Sequence, residues 1–235
     1  VNTITDEKKI KESIAIKKRK GIYLLAESGN KTKKFKPWLG DLFCFLYDRI
    51  MEKSVFPDKF SGSISRHYEI LNAELKTIEN KKILELACGS GDAVKFMSFN
   101  NDYTGIDISR GLLNIAKKKF QRCGFSNSEL FVADACDLPF VDNCFDIGIC
   151  NLSLNFIKDI DSCISELRRV LKEDSVFLCS VPVPEKKKPK VKINGVLFSA
   201  NELRDKFQKQ GFIFEELPHE NGALLYFRAI LTKNE

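Results

Sequence analysis

The sequence predicts an α/β fold in which a doubly wound, mostly parallel sheet carries helices on both faces. Three observations lead there. Beyond residue 80, short apolar runs alternate with stretches of helical periodicity, the pattern of repeated βαβ units. The first run feeds a glycine-rich turn, Cys88-Gly89-Ser90-Gly91, and the second ends in an acid, Asp107, the layout of a nucleoside-binding βαβ unit. The last two runs are separated by little more than His219-Glu220-Asn221-Gly222. They must pair antiparallel, because a parallel pair needs a crossover.

Taken in order, residues 1–36 read as a basic extension outside the domain. They hold eleven Lys/Arg against four Asp/Glu, so the rest of the chain is close to neutral within a net charge of +6. Asp6 to Lys20 suggests a charged helix, broken at Gly21 and Gly29-Asn30. From residue 37, Trp38, Leu39, Leu42, Phe43, Leu46, Ile50 and Met51 recur at helical spacing until Pro57-Asp58. Ser63 to Leu75 reads as a second helix carrying His67 and Tyr68. Residues 37–80 thus predict a helical lid over a core of residues 81–235. Core strands are expected at 82–87, 103–106, 130–133, 145–150 and 176–181. Helices are expected from Ser90, from Ser109 (an N-cap residue type) to near Gly124, and over about 159–171. A small hairpin around Asn194-Gly195 and a helix from Ser199 to Gly211 precede the final strands, Phe212–Leu217 and Ala223–Leu231.

Bulk properties narrow the class. A hydrophobic fraction of 43% over 235 residues supports one sizeable core. No apolar run approaches the ~20 residues of a membrane span, and the charged N-terminus lacks a signal-peptide core. Eight scattered cysteines with no C-x-x-C pair, and only two histidines, argue against a metal site and for a reducing, cytoplasmic setting. The basic residues 1–36 and the run Lys186–Lys190 are either solvated segments or attract RNA, anionic lipid or an acidic substrate.

The glycine turn points away from a dinucleotide, because the position of a third glycine holds Val94. Gly89 and Gly91 let the backbone turn sharply and a ligand approach. Asp107, at a strand end, can accept hydrogen bonds from two ribose hydroxyls. Four segments together resemble the motifs of class I S-adenosylmethionine-dependent methyltransferases, in particular the small-molecule group related to ubiquinone and menaquinone synthesis. They are Glu85 to Gly91, Ile106-Asp107-Ile108-Ser109, Phe131 to Phe140, and Phe145 to Leu154. The resemblance covers roughly residues 70 to 232. It implies a Rossmann-like methyltransferase fold with seven strands in order 3-2-1-4-5-7-6, the last strand antiparallel. It also implies S-adenosylmethionine as cofactor and S-adenosylhomocysteine as product. Backbone near Ala87, Gly89 and Gly91 would face the amino-acid end, and Glu85 would hold the turn or a bridging water. Ile108 would pack on the adenine, Asp134 would accept from its amino group, and the Ala135 N–H would meet a ring nitrogen. Asn151 would lie near the methionine end, with Leu152 lining the wall.

Methyl transfer from a sulfonium needs alignment and no metal, and needs a base only where the acceptor must lose a proton. Tyr47, His67, Tyr68 and His219 are the candidate bases. Asn151-Leu152-Ser153-Leu154 lacks the two prolines of methyltransferases that act on DNA bases or glutamine, which disfavours that type of exocyclic amine. The leading expectation is a small-molecule methyl acceptor. The alternatives are an RNA or protein substrate docked by the basic arm, and a non-catalytic protein that binds the cofactor. Acceptor identity and oligomeric state are not encoded in any motif.

Overall fold

The computed structural model describes residues 9–25, 35, 46–187 and 190–232. Its centre is a nine-stranded sheet. Two strands, β1 (Ile16–Arg19) and β2 (Ile22–Leu25), come from the N-terminal segment. The others are β3 (Lys82–Leu86), β4 (Asp102–Asp107), β5 (Ser128–Val132), β6 (Phe145–Asn151), β7 (Leu171–Pro182), β8 (Phe212–Glu216) and β9 (Leu224–Leu231). Their order is β1-β2-β5-β4-β3-β6-β7-β9-β8. From β5 onward this is the expected 3-2-1-4-5-7-6, and β9 runs antiparallel to both neighbours.

The expected seven strands are corrected to nine, and the charged helix over Asp6 to Lys20 is replaced by a hairpin. Lys20 and Gly21 both have positive φ (53° and 78°), the turn geometry of a two-residue β-hairpin. The apolar run Ile22-Tyr23-Leu24-Leu25 is buried along its length and pairs in parallel with β5, Tyr23 opposite Phe131. The Tyr23 and Phe131 rings stack at 4.6 Å, and Ile10 joins the same core cluster. Residues of the 9–25 segment therefore share the sheet and the core cluster of the later strands. The charged run Ile16-Lys17-Lys18-Arg19, which reads as part of a solvated helix, is instead an edge strand, where lysines discourage further pairing.

Four helices cover the sheet: α1 (Ile64–Leu75), α2 (Arg110–Arg122), α3 (Ile160–Val170) and α4 (Ala200–Lys209). Each begins at a side chain that accepts from an early backbone N–H: Ser63, Ser109, Asp159 and Ser199. Leu71 and Leu75 of α1 and Leu113, Ala116 and Phe120 of α2 pack on one face of the sheet. Ile164 and Leu167 of α3 and Leu203 and Phe207 of α4 pack on the other. Parallel strands buried on both faces read as near-continuous apolar runs, as Ile83-Leu84-Glu85-Leu86 does apart from its one acid.

Of the expected lid, residues 36–45, with Trp38, Leu39, Leu42 and Phe43, lie outside the described residues. One helical turn, Tyr47–Ile50, leads into a π-helical segment, Met51–Phe60, that passes through Pro57 rather than ending there. Phe56 and Phe60 pack with Leu152, Ile193 and Tyr226 above the sheet ends. The helix expected from Ser90 is a single 3₁₀ turn, Asp92–Lys95. No hairpin forms around Asn194-Gly195; that loop lies against Asn155, whose side chain donates to the Asn194 carbonyl at 2.7 Å. Among the described residues no helix is long and apolar enough to cross a membrane, and the seven described cysteines are free thiols.

Candidate active site

Strand order reverses between β3 and β6, whose carboxyl ends form the crevice where ligands bind in such sheets. At the end of β3 the chain turns through Ala87 (φ 50°), Gly89 (φ 55°) and Gly91 (φ 79°). A Cβ at Gly91 would meet the Ala116 Cβ at 2.8 Å and the Phe120 ring at 2.9 Å, so only glycine lets this turn sit on α2. A Cβ at Gly89 would meet nothing within 4 Å; the turn is open there. Ala87 and, at the end of β6, Leu152 (φ 57°) are left-handed without being glycine, at a cost of roughly 1–2 kcal/mol each. Strain of this kind clusters at functional sites, and it flanks the crevice on both sides. Ser153 Oγ bridges the two ends, donating to the Ala87 carbonyl at 3.3 Å.

Asp107 closes β4 and ties the turn to it. Its Oδ2 accepts from the Gly89 N–H at 2.9 Å and its Oδ1 from the Ser109 N–H at 2.7 Å. Ile108 beside it is 45% exposed. Across the crevice, Asp134 Oδ1 accepts from the Cys136 N–H at 3.0 Å, which shapes the loop presenting Ala135. The Ala135 N–H has no hydrogen-bond partner among the described residues.

Glu85 and Asn151 face the crevice from β3 and β6. Glu85 is buried, and the Tyr103 hydroxyl donates to it. Burial raises its carboxyl to about 8; the Tyr103 hydrogen bond opposes the rise, and the nearby Asp92 and Asp107 charges add to it. Asn151 Oδ1 contacts His67 Nε2 at 2.9 Å and accepts from Ser180 Oγ at 2.7 Å. A small cavity of about 40 Å³ is lined by Glu85, Ala87, Gly89, Asn151 and Leu152 together with Tyr47 and Met51.

The Tyr47–Ile50 turn is fastened to the glycine loop by ions. Lys119 of α2 bridges Asp48 at 2.5 Å and Asp92 at 2.7 Å, and Ser90 Oγ donates to Asp48 at 2.7 Å. Tyr68 donates to Asp92 at 2.7 Å. Burial works against ionisation of Asp92, but the charge and hydrogen bond of Lys119, with Lys95 and Tyr68, outweigh it and hold the carboxyl below its usual range.

The structure thus brings Glu85, Ala87, Gly89, Asn151, Leu152 and Tyr47 around one cavity, with Asp107 joined to it through Gly89. Gly91 faces α2, and Asp134 and Ala135 lie outside the cavity wall. His67 lies behind Asn151 rather than on the wall, Tyr68 is engaged by Asp92 and Lys95, and His219 lies 3.7 Å from Glu74. Burial lowers His67 to about 4, and burial with nearby carboxylates raises Tyr47 and Tyr68. Asp92, Lys119, Ser180 and Tyr226 are not among the residues expected from the sequence. Asp92, next to Gly91, carried the one local signal, and the others come from distant parts of the chain.

Residues 84–179 match the methyltransferase domain family. A demethylmenaquinone methyltransferase of Bacillus velezensis is 30% identical over 105 residues, 43% of this chain and 45% of that protein. The ubiquinone/menaquinone biosynthesis C-methyltransferase UbiE of Rickettsia typhi is 38% identical over 108 residues, 43% of this chain and 44% of that protein. The chain spans less than half the length of these relatives. Phosphoethanolamine N-methyltransferase 2 of Haemonchus contortus, solved with S-adenosyl-L-methionine, shares the fold at a TM-score of 0.63 and 15% identity, covering 82% of this chain and 57% of that one.

Proposed function

We propose that this chain, a class I S-adenosylmethionine-dependent methyltransferase resembling the ubiquinone/menaquinone group, moves a methyl group to a small-molecule acceptor by in-line displacement. The observation that carries the reading is the junction of Asp107 with the Gly89 turn at the point where strand order reverses. Asp107 already fixes the turn through Gly89 and Ser109, and a carboxylate at this strand end is the group type that accepts from both hydroxyls of a ribose diol. Ile108 offers an exposed apolar surface to adenine, and the unpartnered Ala135 N–H offers a donor to its ring. These residues fit the cofactor, which supplies a methyl group already activated on a sulfonium.

The cavity of about 40 Å³ would take only the reacting end of the cofactor, whose expected ribose and adenine partners Asp107, Ile108 and Ala135 lie outside its wall, and the Tyr47–Met51 segment borders it. There the segment would exclude water and hold the reactants aligned, and alignment alone can supply much of the acceleration. Three of the four candidate bases are poorly disposed to take a proton, and the fourth, His219, is not part of the cavity wall. Tyr47 and Tyr68 remain phenols at neutral pH, and both His67 nitrogens are occupied. The favoured acceptor is therefore one whose attacking atom is nucleophilic without help, or sheds its proton to water. Of the basic segment's described cations, Lys9 is engaged by Glu129 and Thr104 and Lys18 by Tyr23, while Lys17, Arg19 and Lys20 are exposed, so RNA belongs in the acceptor screen. The test is calorimetry with S-adenosylmethionine, S-adenosylhomocysteine and NAD, followed by a transfer screen over quinol, phenol, thiol, amine and carboxylate acceptors with RNA included. Binding of NAD and not of S-adenosylmethionine would sink the reading.

A further inference from the structure

A chain of buried polar groups runs behind the crevice, and every hydrogen in it can be assigned. It starts at backbone. Asn221 Oδ1 accepts from the Ser63 N–H at 2.8 Å, and its Nδ2 donates to the Ser63 carbonyl at 3.0 Å. The amide cannot be reversed without losing both. The same Nδ2 donates to the Tyr226 hydroxyl at 3.0 Å, so that hydroxyl must give its own proton elsewhere. Its other partner is His67 Nδ1, at 2.8 Å. His67 therefore accepts at Nδ1 and carries its proton on Nε2, which faces Asn151 at 2.9 Å. From the far side, Ser180 Oγ receives the Leu152 N–H at 3.2 Å and donates to the same Asn151 oxygen at 2.7 Å.

Reversing the Asn151 amide would put its Nδ2 against His67 and Ser180. The histidine proton would move to Nδ1, and the hydroxyl hydrogens of Tyr226 and Ser180 would both lose their acceptors. Both residues are at most 1% exposed, so water cannot replace those acceptors. Buried donors without partners are rare in folded chains, and the unreversed arrangement leaves none in this network.

We propose that Tyr226 and His67 are positioning residues that lock the Asn151 carboxamide with its Nδ2 turned to the crevice, where it donates to an oxygen of the bound ligand. The proposal rests on the cofactor reading above. Nδ2 has no partner among the described residues, and Asn151 lines the cavity beside Glu85 and Ala87. An amide locked this way recognises an acceptor and rejects an ammonium. The oxygen has two possible sources: the carboxylate of the cofactor's amino-acid end, or an oxygen of the methyl acceptor. His67 stays neutral throughout the working range because burial disfavours its cation. The lock is therefore permanent and is not a pH switch.

The chain has only two histidines, which makes the imidazole ¹⁵N spectrum simple to assign with a His67→Gln variant. We expect His67 as the neutral Nε2–H tautomer from pH 5 to 8, and an Nδ1–H tautomer would overturn the assignment whether or not any ligand binds. Tyr226→Phe removes the hydroxyl that holds the tautomer, and Ser180→Ala loosens the amide from the other side. Each should weaken S-adenosylhomocysteine about ten-fold and leave 5′-methylthioadenosine, which lacks the carboxylate, unchanged, if the oxygen is the cofactor's. If it is the acceptor's, both affinities stay and kcat/KM for transfer falls by a similar factor. His67→Gln, which keeps an amide donor facing Asn151, should retain more of either than His67→Leu. Unchanged affinities and turnover in both variants, with a native thermal midpoint, would overturn the proposal. A wild-type chain that binds neither nucleoside refutes the cofactor reading, while the tautomer result stands separately.

Discussion

Glu85 is a buried acid held against its own ionisation, and Glu85→Gln tests that directly. The substitution keeps the shape and leaves an oxygen to accept from Tyr103. In the unfolded chain the carboxyl titrates near 4.5; in the folded chain burial moves it to about 8. The sign follows from proton counts. Below pH 4.5 both states are protonated and the shift has no effect on stability. As pH rises, the unfolded state loses its proton while the folded state keeps it, so stability falls by about 1.4 kcal/mol per pH unit until the folded group also ionises near 8. At pH 7 the accumulated cost is about 3 kcal/mol. Glu85→Gln removes it, and for a domain of this size that raises the thermal midpoint by roughly 6–12 °C. The assay is urea unfolding of both proteins from pH 5 to 8. The wild type should lose stability relative to the variant across that range, and the variant should lose cofactor affinity, the usual trade between a stable core and a working site. A variant that is less stable at pH 7, or a stability difference that does not change with pH, refutes the argument.

Three further outcomes follow from named contacts. Asp107→Ala should weaken S-adenosylhomocysteine ten-fold or more by calorimetry, and should also lower stability by about 1–3 kcal/mol, because the Gly89 and Ser109 N–H groups lose their acceptor. Tyr23→Ala should cost about 3–5 kcal/mol, lowering the thermal midpoint by roughly 10 °C, because it empties a core position stacked on Phe131; no change would mean that the hairpin is not part of the folded domain. Lys119→Met removes the cation between Asp48 and Asp92, so hydrogen exchange over residues 46–60 should quicken relative to the wild type; equal protection would show that the ion cluster does not hold that segment.

The parts of the site legible in the sequence are those in which residue type and chain position coincide. Gly91 is required by its approach to α2, and Asp107 stands at a strand end, so a short window carries both. The hairpin β1–β2 was hidden because Lys17, Lys18 and Arg19 look like a solvated helix face, while the partner that buries Ile22 to Leu25 is β5, about a hundred residues away. His67 shows the same limit at the level of one side chain. It reads as a candidate base, and only its partners Tyr226 and Asn151, 159 and 84 residues distant, turn it into a buried neutral ring. The Asn194-Gly195 hairpin failed for the opposite reason. The dipeptide is a strong local turn signal, but the segment's contacts go to Asn155 and Asp58 rather than to a second strand.

The crevice carries Asp92 and Asp107 beside Glu85, and Lys119 already serves Asp48 and Asp92, so no described cation faces the Glu85 carboxyl. Burial, with these like charges added and no described cation to offset it, is why Glu85 keeps its proton in the free protein. Under the methyl-transfer reading, a sulfonium and an ammonium arrive together in this acidic pocket. A positive charge within a few ångströms in a desolvated site stabilises the carboxylate, which reverses the effect of burial. Glu85 should then release its proton when S-adenosylmethionine binds at pH 7. Methyl transfer removes the sulfonium charge, so the product holds that carboxylate less firmly and fewer protons are released on binding S-adenosylhomocysteine. Calorimetric enthalpies in phosphate and in Tris, buffers with different ionisation heats, report the proton count directly. The expected result is a larger buffer dependence for S-adenosylmethionine than for S-adenosylhomocysteine, abolished for both in Glu85→Gln. Equal buffer dependence of the two ligands in the wild type, or its survival in the variant, would show that the proton does not come from Glu85.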